Sequence, residues 1–113
     1  MNSIEYEKIC EQANVQSASF LRDTLLALKK VGAKEAGLIE VILRSVPIPF
    51  PEKHSHKSER FYILGLTEFE VEKIIDILFE LEASSVQIDG VATTETYEYV
   101  NLVNTWSEMT GEI

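Results

Sequence analysis

Residues 67–81 read TEFEVEKIIDILFEL, and this stretch decides the fold. Thr67 and Glu70 form a capping-box pair, in which the threonine hydroxyl accepts from the third helical N–H and the glutamate reaches back to the cap residue. Leu66 and Val71, just outside and inside that cap, are placed to close as a hydrophobic staple. Val71, Ile74, Ile75, Leu78 and Leu81 then recur at helical spacing, with Ile77 and Phe79 widening the stripe on either side. A face that wide must be covered by other helices.

The opposite surface carries Glu68, Glu72, Asp76 and Glu80 at intervals of four, so they stand in one row up the helix. Like charges at that spacing each cost roughly 0.2–0.5 kcal/mol in an isolated helix. Only Lys73 lies inside the segment to relieve them, and Glu80 and Glu82 sit near the end that the helix dipole disfavours for anions. Two readings follow: a solvated face, or a ridge prepared for a basic partner.

On the N-terminal side, Asn2 and Glu5 are placed to cap a first short helix, with Tyr6, Ile9, Cys10 and Ala13 on one face. Asn14 is the expected cap of a second helix running to about Val31. Phe20, Leu21, Leu25, Leu28 and Val31 make its apolar arc, and Leu26 is an outlier. Gly32 suits the position just past its end. A third helix starts at Lys34 and Glu35 and buries Leu38, Ile39, Ile42, Leu43 and Val46, until Pro47 stops it. PIPFPEKHSHKSER breaks all periodicity and reads as a loop crossing the bundle with Phe50 tucked in. FYILG, residues 61–65, is β-like in content, yet Gly65 suits a helix end, and a short helix is slightly favoured. Residues 84–90 read as a short strand or extended connector. With both segments as strands, the helix between them would cross over in a βαβ unit. On the C-terminal side a last helix spans about Thr94 to Met109. It packs Tyr99, Leu102, Val103, Trp106 and Met109 inward and turns Tyr97, Asn101, Asn104 and Glu108 outward. The expected fold is therefore mainly α: one domain over residues 1–113, a bundle of four or five helices with at most a two- or three-stranded β element.

The chain of 113 residues carries a net charge of −9, and that charge is unevenly placed. Residues 1–66 hold nine Lys/Arg against eight Asp/Glu, whereas residues 67–113 hold one against eleven. Such a field repels nucleic acid and anionic membrane and speeds encounter with a cationic protein. No apolar run approaches the ~20 residues that span a bilayer. The acidic N-terminus has no signal-peptide core, and one cysteine fits a reducing compartment, so a cytoplasmic protein is expected.

Catalytic signatures are lacking. There is no GxSxG, Walker loop, GxGxxG, HExxH or EF-hand loop, so neither an enzyme nor a cofactor is expected. His54 and His56 offer two metal ligands where a closed site needs three or four, and Lys53, Lys57 and Arg60 discourage a cation there. Cys10 reads as a small buried hydrophobe. What remains is a binding surface: Glu68, Glu72, Asp76 and Glu80 as the acidic row, with Tyr97 as aromatic anchor and Glu108 beyond it.

KKVGAKEAGLIEVILR and GLTEFEVEKIIDILFELEASSVQI together resemble parts of the C-terminal domain of the ribosomal stalk protein. That family's opening strand, glycine-rich turn and lysine-rich factor-binding face have no counterpart here, which marks convergent patterning. As a whole the chain resembles, in kind and without a shared motif, the bacterial immunity proteins that neutralise nuclease toxins of the colicin and contact-dependent inhibition systems. That resemblance implies a tight inhibitory complex in which carboxylates cover a cationic nuclease site. The alternative is a homo-oligomeric structural or adaptor protein, a homodimer in the simplest case, sharing the wide apolar face of 67–81 between subunits.

Overall fold

A computed structural model describes residues 2–12, 14–51, 59–87 and 90–110. Its elements run α1 (Ser3–Cys10), β1 (Val15–Ser17), α2 (Ala18–Lys30), α3 (Ala36–Arg44), β2 (Phe61–Ile63), α4 (Glu68–Ser85) and α5 (Thr94–Thr110). The expected mainly α fold is the observed one: among the described residues, five helices and a two-stranded antiparallel sheet.

The expected capping box starts α4. Thr67 Oγ1 accepts from Glu70 N at 3.1 Å, and Thr67 N donates to Glu70 Oε1 at 2.9 Å. Val71, Ile74 and Leu78 are fully buried, Ile75, Ile77 and Leu81 half-buried, while Phe79 is exposed. At about 100° per residue Phe79 has turned past the stripe on to the solvent side, so it does not widen the core as expected. Helix α5 lies antiparallel against α4, latched where they meet by Ser85 Oγ–Thr96 Oγ1 at 2.7 Å and by Thr93 Oγ1 donating to Ser85 O at 3.3 Å. The connector between them is extended at Val86, then turns through Gly90 at φ 84°, and no strand forms there among the described residues.

Helices α2 and α3 cover the inner face of that hairpin. One core cluster joins Leu21 and Leu28 of α2, Ile39 and Ile42 of α3, Val71, Ile74 and Leu78 of α4, and Tyr99, Leu102 and Trp106 of α5. Trp106 is fully buried and its Nε1 donates to Thr24 Oγ1 of α2 at 3.0 Å, which satisfies the indole N–H inside the core. The wide face of 67–81 is thus filled from within the chain.

Several local readings differ from expectation, among them Val31, which lies just past the end of α2 and is exposed. Asn14 does not cap α2: residues 15–17 pair with β2 in the register Val15↔Ile63, Gln16↔Tyr62, Ser17↔Phe61, and Ser17 Oγ accepts from Phe20 N instead. The stretch 61–63 is therefore a strand and not the end of a short helix, and because no strand follows α4 among the described residues, α4 is no βαβ crossover. Helix α3 stops at Arg44, with Ser45 N and Oγ both donating to Ile42 O, so Val46 is 90% exposed and not part of the buried stripe. Beside the sheet, α1 contributes a small second cluster of Tyr6, Val15 and Ile48 with Phe50 and Phe61 packed on it. Phe50 is tucked in as expected, edge-on to Tyr6 at 5.9 Å between ring centres, with the Arg60 guanidinium 4.1 Å from its own ring centre.

Candidate interaction face of the α4–α5 hairpin

Helix α4 owes its outward face to the same periodicity that fills its inward one. With Val71, Ile74 and Leu78 turned to the core, Glu68, Glu72, Asp76 and Glu80 point away, and all four are exposed. Each step of four residues rises about 6 Å and rotates about 40°, so the row runs diagonally across the face. Among the described residues none of the four takes part in a salt bridge. Lys73, the only cation on α4, lies toward α3 and covers the Phe69 ring at 5.3 Å.

Two aromatic side chains stand in this acidic row that sequence reasoning did not assign to it. Phe69 is 66% exposed and Phe79 57% exposed, against an expectation that Phe79 would be core and no reading at all for Phe69. A wheel drawn from the Thr67 cap would have found both, since each falls within about 80° of the middle of the acidic face. Phe69 also walls a shallow hollow toward α3, opposite Lys34 and Leu38. Carboxylates for steering and exposed rings for desolvated area is the combination that protein interfaces use.

On α5, Tyr97 is 63% exposed, as expected, at the end where α5 meets the connector. Glu108 is exposed too, about 16 Å further along the same helix. It borders a hollow against Cys10, Gln12 and Val15 at the far end of the hairpin. The six sequence-derived residues therefore share the hairpin, but only the four on α4 form one contiguous group. Tyr97 and Glu108 mark its two ends.

Two other carboxylates of this region are engaged elsewhere. Glu70 closes the α4 cap. Glu95 accepts from Lys30 Nζ and from Tyr99 OH, both at 2.7 Å, and Lys30 Nζ also lies 3.1 Å from Tyr99 OH. These bonds hold the Glu95 carboxyl below its ordinary range and raise Lys30, while burial raises the Tyr99 hydroxyl. That triad fastens the end of α2 to the start of α5.

Burial likewise pushes the Cys10 thiol upward, away from the thiolate that nucleophilic chemistry needs. Among the described residues no three His, Cys, Asp or Glu side chains converge as metal ligands, and His54 and His56 lie outside those residues, as do Lys53 and Lys57. No described helix is long and apolar enough to cross a membrane. Comparison with protein-family models, curated proteins and solved structures finds no match to this chain.

Proposed function

We propose that this chain is an acidic binding protein that neutralises a basic protein partner through the outward face of α4, acting in the cytoplasm as the immunity half of a bacterial nuclease-toxin pair. One observation carries the reading: four exposed carboxylates in a row with no described cation answering them, interleaved with the exposed rings of Phe69 and Phe79. An arrangement that costs the free helix like-charge repulsion is compensated when a cationic surface covers it. The row steers the encounter, the two rings and Tyr97 supply the desolvated area, and Glu108 extends the contact along α5. A toxin nuclease domain, whose substrate is a polyanion, presents the cationic surface that this face fits.

The test is a pull-down from the native host, eluted by a salt gradient, followed by kinetics on what is recovered. A single basic protein held at near-equal amount is the expected result. Glu72→Lys combined with Asp76→Lys should then weaken the complex by roughly 100-fold, part of it as a slower, less salt-sensitive association. Recovery of the bait alone as a defined oligomer would replace this reading with self-assembly. Unchanged affinity in the double variant would remove the α4 row from it.

A further inference from the structure

A second surface, separate from the α4 row, lies between α2 and α5. The two helices run antiparallel and are held apart by bulky contacts at both ends. At one end Phe20 stacks on Trp106 at 5.4 Å between ring centres, and at the other Lys30 reaches Tyr99 and Glu95. Between these struts stand Ala27 and Leu102, both almost wholly covered, at 4% and 8% exposed. Over them lies an open groove of about 540 Å³, whose accessible apolar lining is half-buried Phe20 and exposed Leu26. Along the helix axes the struts are separated by roughly 10–15 Å, the length of two to three helical turns.

The rim gives the groove its selectivity. On the α2 side stand Asp23 and Leu26, and on the α5 side Glu98 and Asn101. Leu26 is 64% exposed, and its place on this rim accounts for a leucine that fits no buried stripe of α2. Asp23 and Glu98 are exposed and take part in no salt bridge among the described residues. Among the described residues the one cation lining the groove, Lys30, is paired with Glu95 at 2.7 Å. Accessible apolar surface on Leu26 and Phe20 between two unanswered carboxylates, a few turns long, matches the helix-in-groove form of peptide recognition with the sign of its rim set negative.

We infer that the α2–α5 groove docks a short basic amphipathic helix. One apolar anchor of that helix packs on Leu26 and Phe20, and Lys or Arg side chains on its flanks meet Asp23 and Glu98. This surface is distinct from the α4 row and stands whether or not that row binds a toxin.

The probe is a synthetic helical peptide of about eighteen residues made of leucine and lysine, with leucines at i, i+3, i+4 and i+7. A scrambled peptide of equal charge serves as control. Binding is followed by titration calorimetry and by methyl NMR shifts at Ala27 and Leu102. The expected result is saturable binding of the amphipathic peptide alone, with shifts concentrated in the groove. Leu26→Asp, at an exposed position, should weaken it at least ~10-fold. Asp23→Lys with Glu98→Lys should do the same, while Glu7→Lys with Glu11→Lys on α1 and its C-cap, an equal change of net charge at exposed positions, should alter it less than ~3-fold. Equal losses in the two double variants would mean that net charge alone attracts the peptide, and would overturn the proposal. So would shifts centred on α4, equal binding of the scrambled peptide, or no saturable binding. Circular dichroism of each variant confirms that a loss reflects the groove and not the fold.

Discussion

Compare the surface made by α2, α3 and the approach to β2 with the outward surface of α4. On the first, Glu40 is shared by Lys29 at 3.0 Å and Arg44 at 3.7 Å, and Glu59 accepts from Ser19 N and Oγ and lies 3.9 Å from Arg22. On the second, four carboxylates follow one another up a helix and no described cation meets them. Exposed pairs of the first kind contribute little to stability each, but they cancel one another's field. Unpaired charges of the second kind leave the field standing, and a standing field acts at a distance on whatever approaches. The two surfaces belong to one core, so the contrast arises from charge placement and not from separate folding units.

Trp106 is where that shared core is most exposed to test. Fully buried and bonded to Thr24, it joins the acidic hairpin to α2. Trp106→Ala should cost about 3–5 kcal/mol, a large part of the 5–15 kcal/mol that holds an ordinary domain together. Urea unfolding followed by circular dichroism would read it. A loss under ~1 kcal/mol would mean the two regions fold apart, and the comparison would then be between two units. Less costly is the loss of the α4 cap. Thr67→Ala removes the acceptor for Glu70 N and should destabilise by about 1 kcal/mol, with Thr67→Ser restoring most of it. If the cap mattered only locally, amide exchange would rise in the first turn of α4 while the unfolding midpoint stayed fixed.

The elements legible in the sequence are those whose signals are local. Thr67–Glu70 and a 3.6-residue stripe define α4 without reference to anything else, and Tyr99, Leu102, Trp106 and Met109 do the same for α5. Strands β1 and β2 have three residues each and exist because each pairs with the other across more than forty residues of chain. Val15–Ser17 could therefore be read as the start of a helix, with Asn14 as a sound cap that tertiary pairing overrode. The acidic row was legible for the reason that α4 was, since a spacing of four on a helix already fixed in phase leaves no freedom. Phe79 is out of place in the buried stripe because hydrophobicity implies burial in one direction only, and Phe69 falls outside any stripe that periodicity picks out. The α2–α5 groove was hidden for a different reason: a hollow is a property of two helices held apart, and Ala27 records only one side of it.

Acid titration sharpens the contrast, because the engaged carboxylates should respond to pH through the fold. Ser19 bonding to Glu59, and Lys30 and Tyr99 bonding to Glu95, hold both carboxyls below their ordinary 4.5. Above that value the unfolded and folded chains are both ionised and the stabilisation is fully present. As pH falls below it, the unfolded chain takes up protons first, so the contribution shrinks and is gone once the folded carboxyls are protonated as well. The stability gap between the protein and a Glu59→Gln, Glu95→Gln double variant should therefore narrow from about pH 6 down to about pH 3, as measured by urea midpoints. A gap that stays constant over this range would show that these bonds do not depend on the charged form.

Glu72→Gln is the smallest effect and the most discriminating. Glu72 stands one turn from both Glu68 and Asp76, so neutralising it removes two like-charge pairs at i,i+4. The fold should gain about 0.5 kcal/mol at low salt, and the gain should fade as ionic strength compresses the screening length toward ~3 Å at 1 M. In the same variant, affinity for a basic partner should fall. A carboxylate on α2 or α3 behaves in the opposite sense: Glu40→Gln removes the partner of Lys29 and Arg44, and so costs a little stability while leaving partner affinity alone. Opposite signs at Glu72 and Glu40 would establish that the α4 row is held at the expense of the fold for the sake of something outside it. A loss of stability in Glu72→Gln would instead mean that the row has an intramolecular partner, and the difference between the two surfaces would vanish.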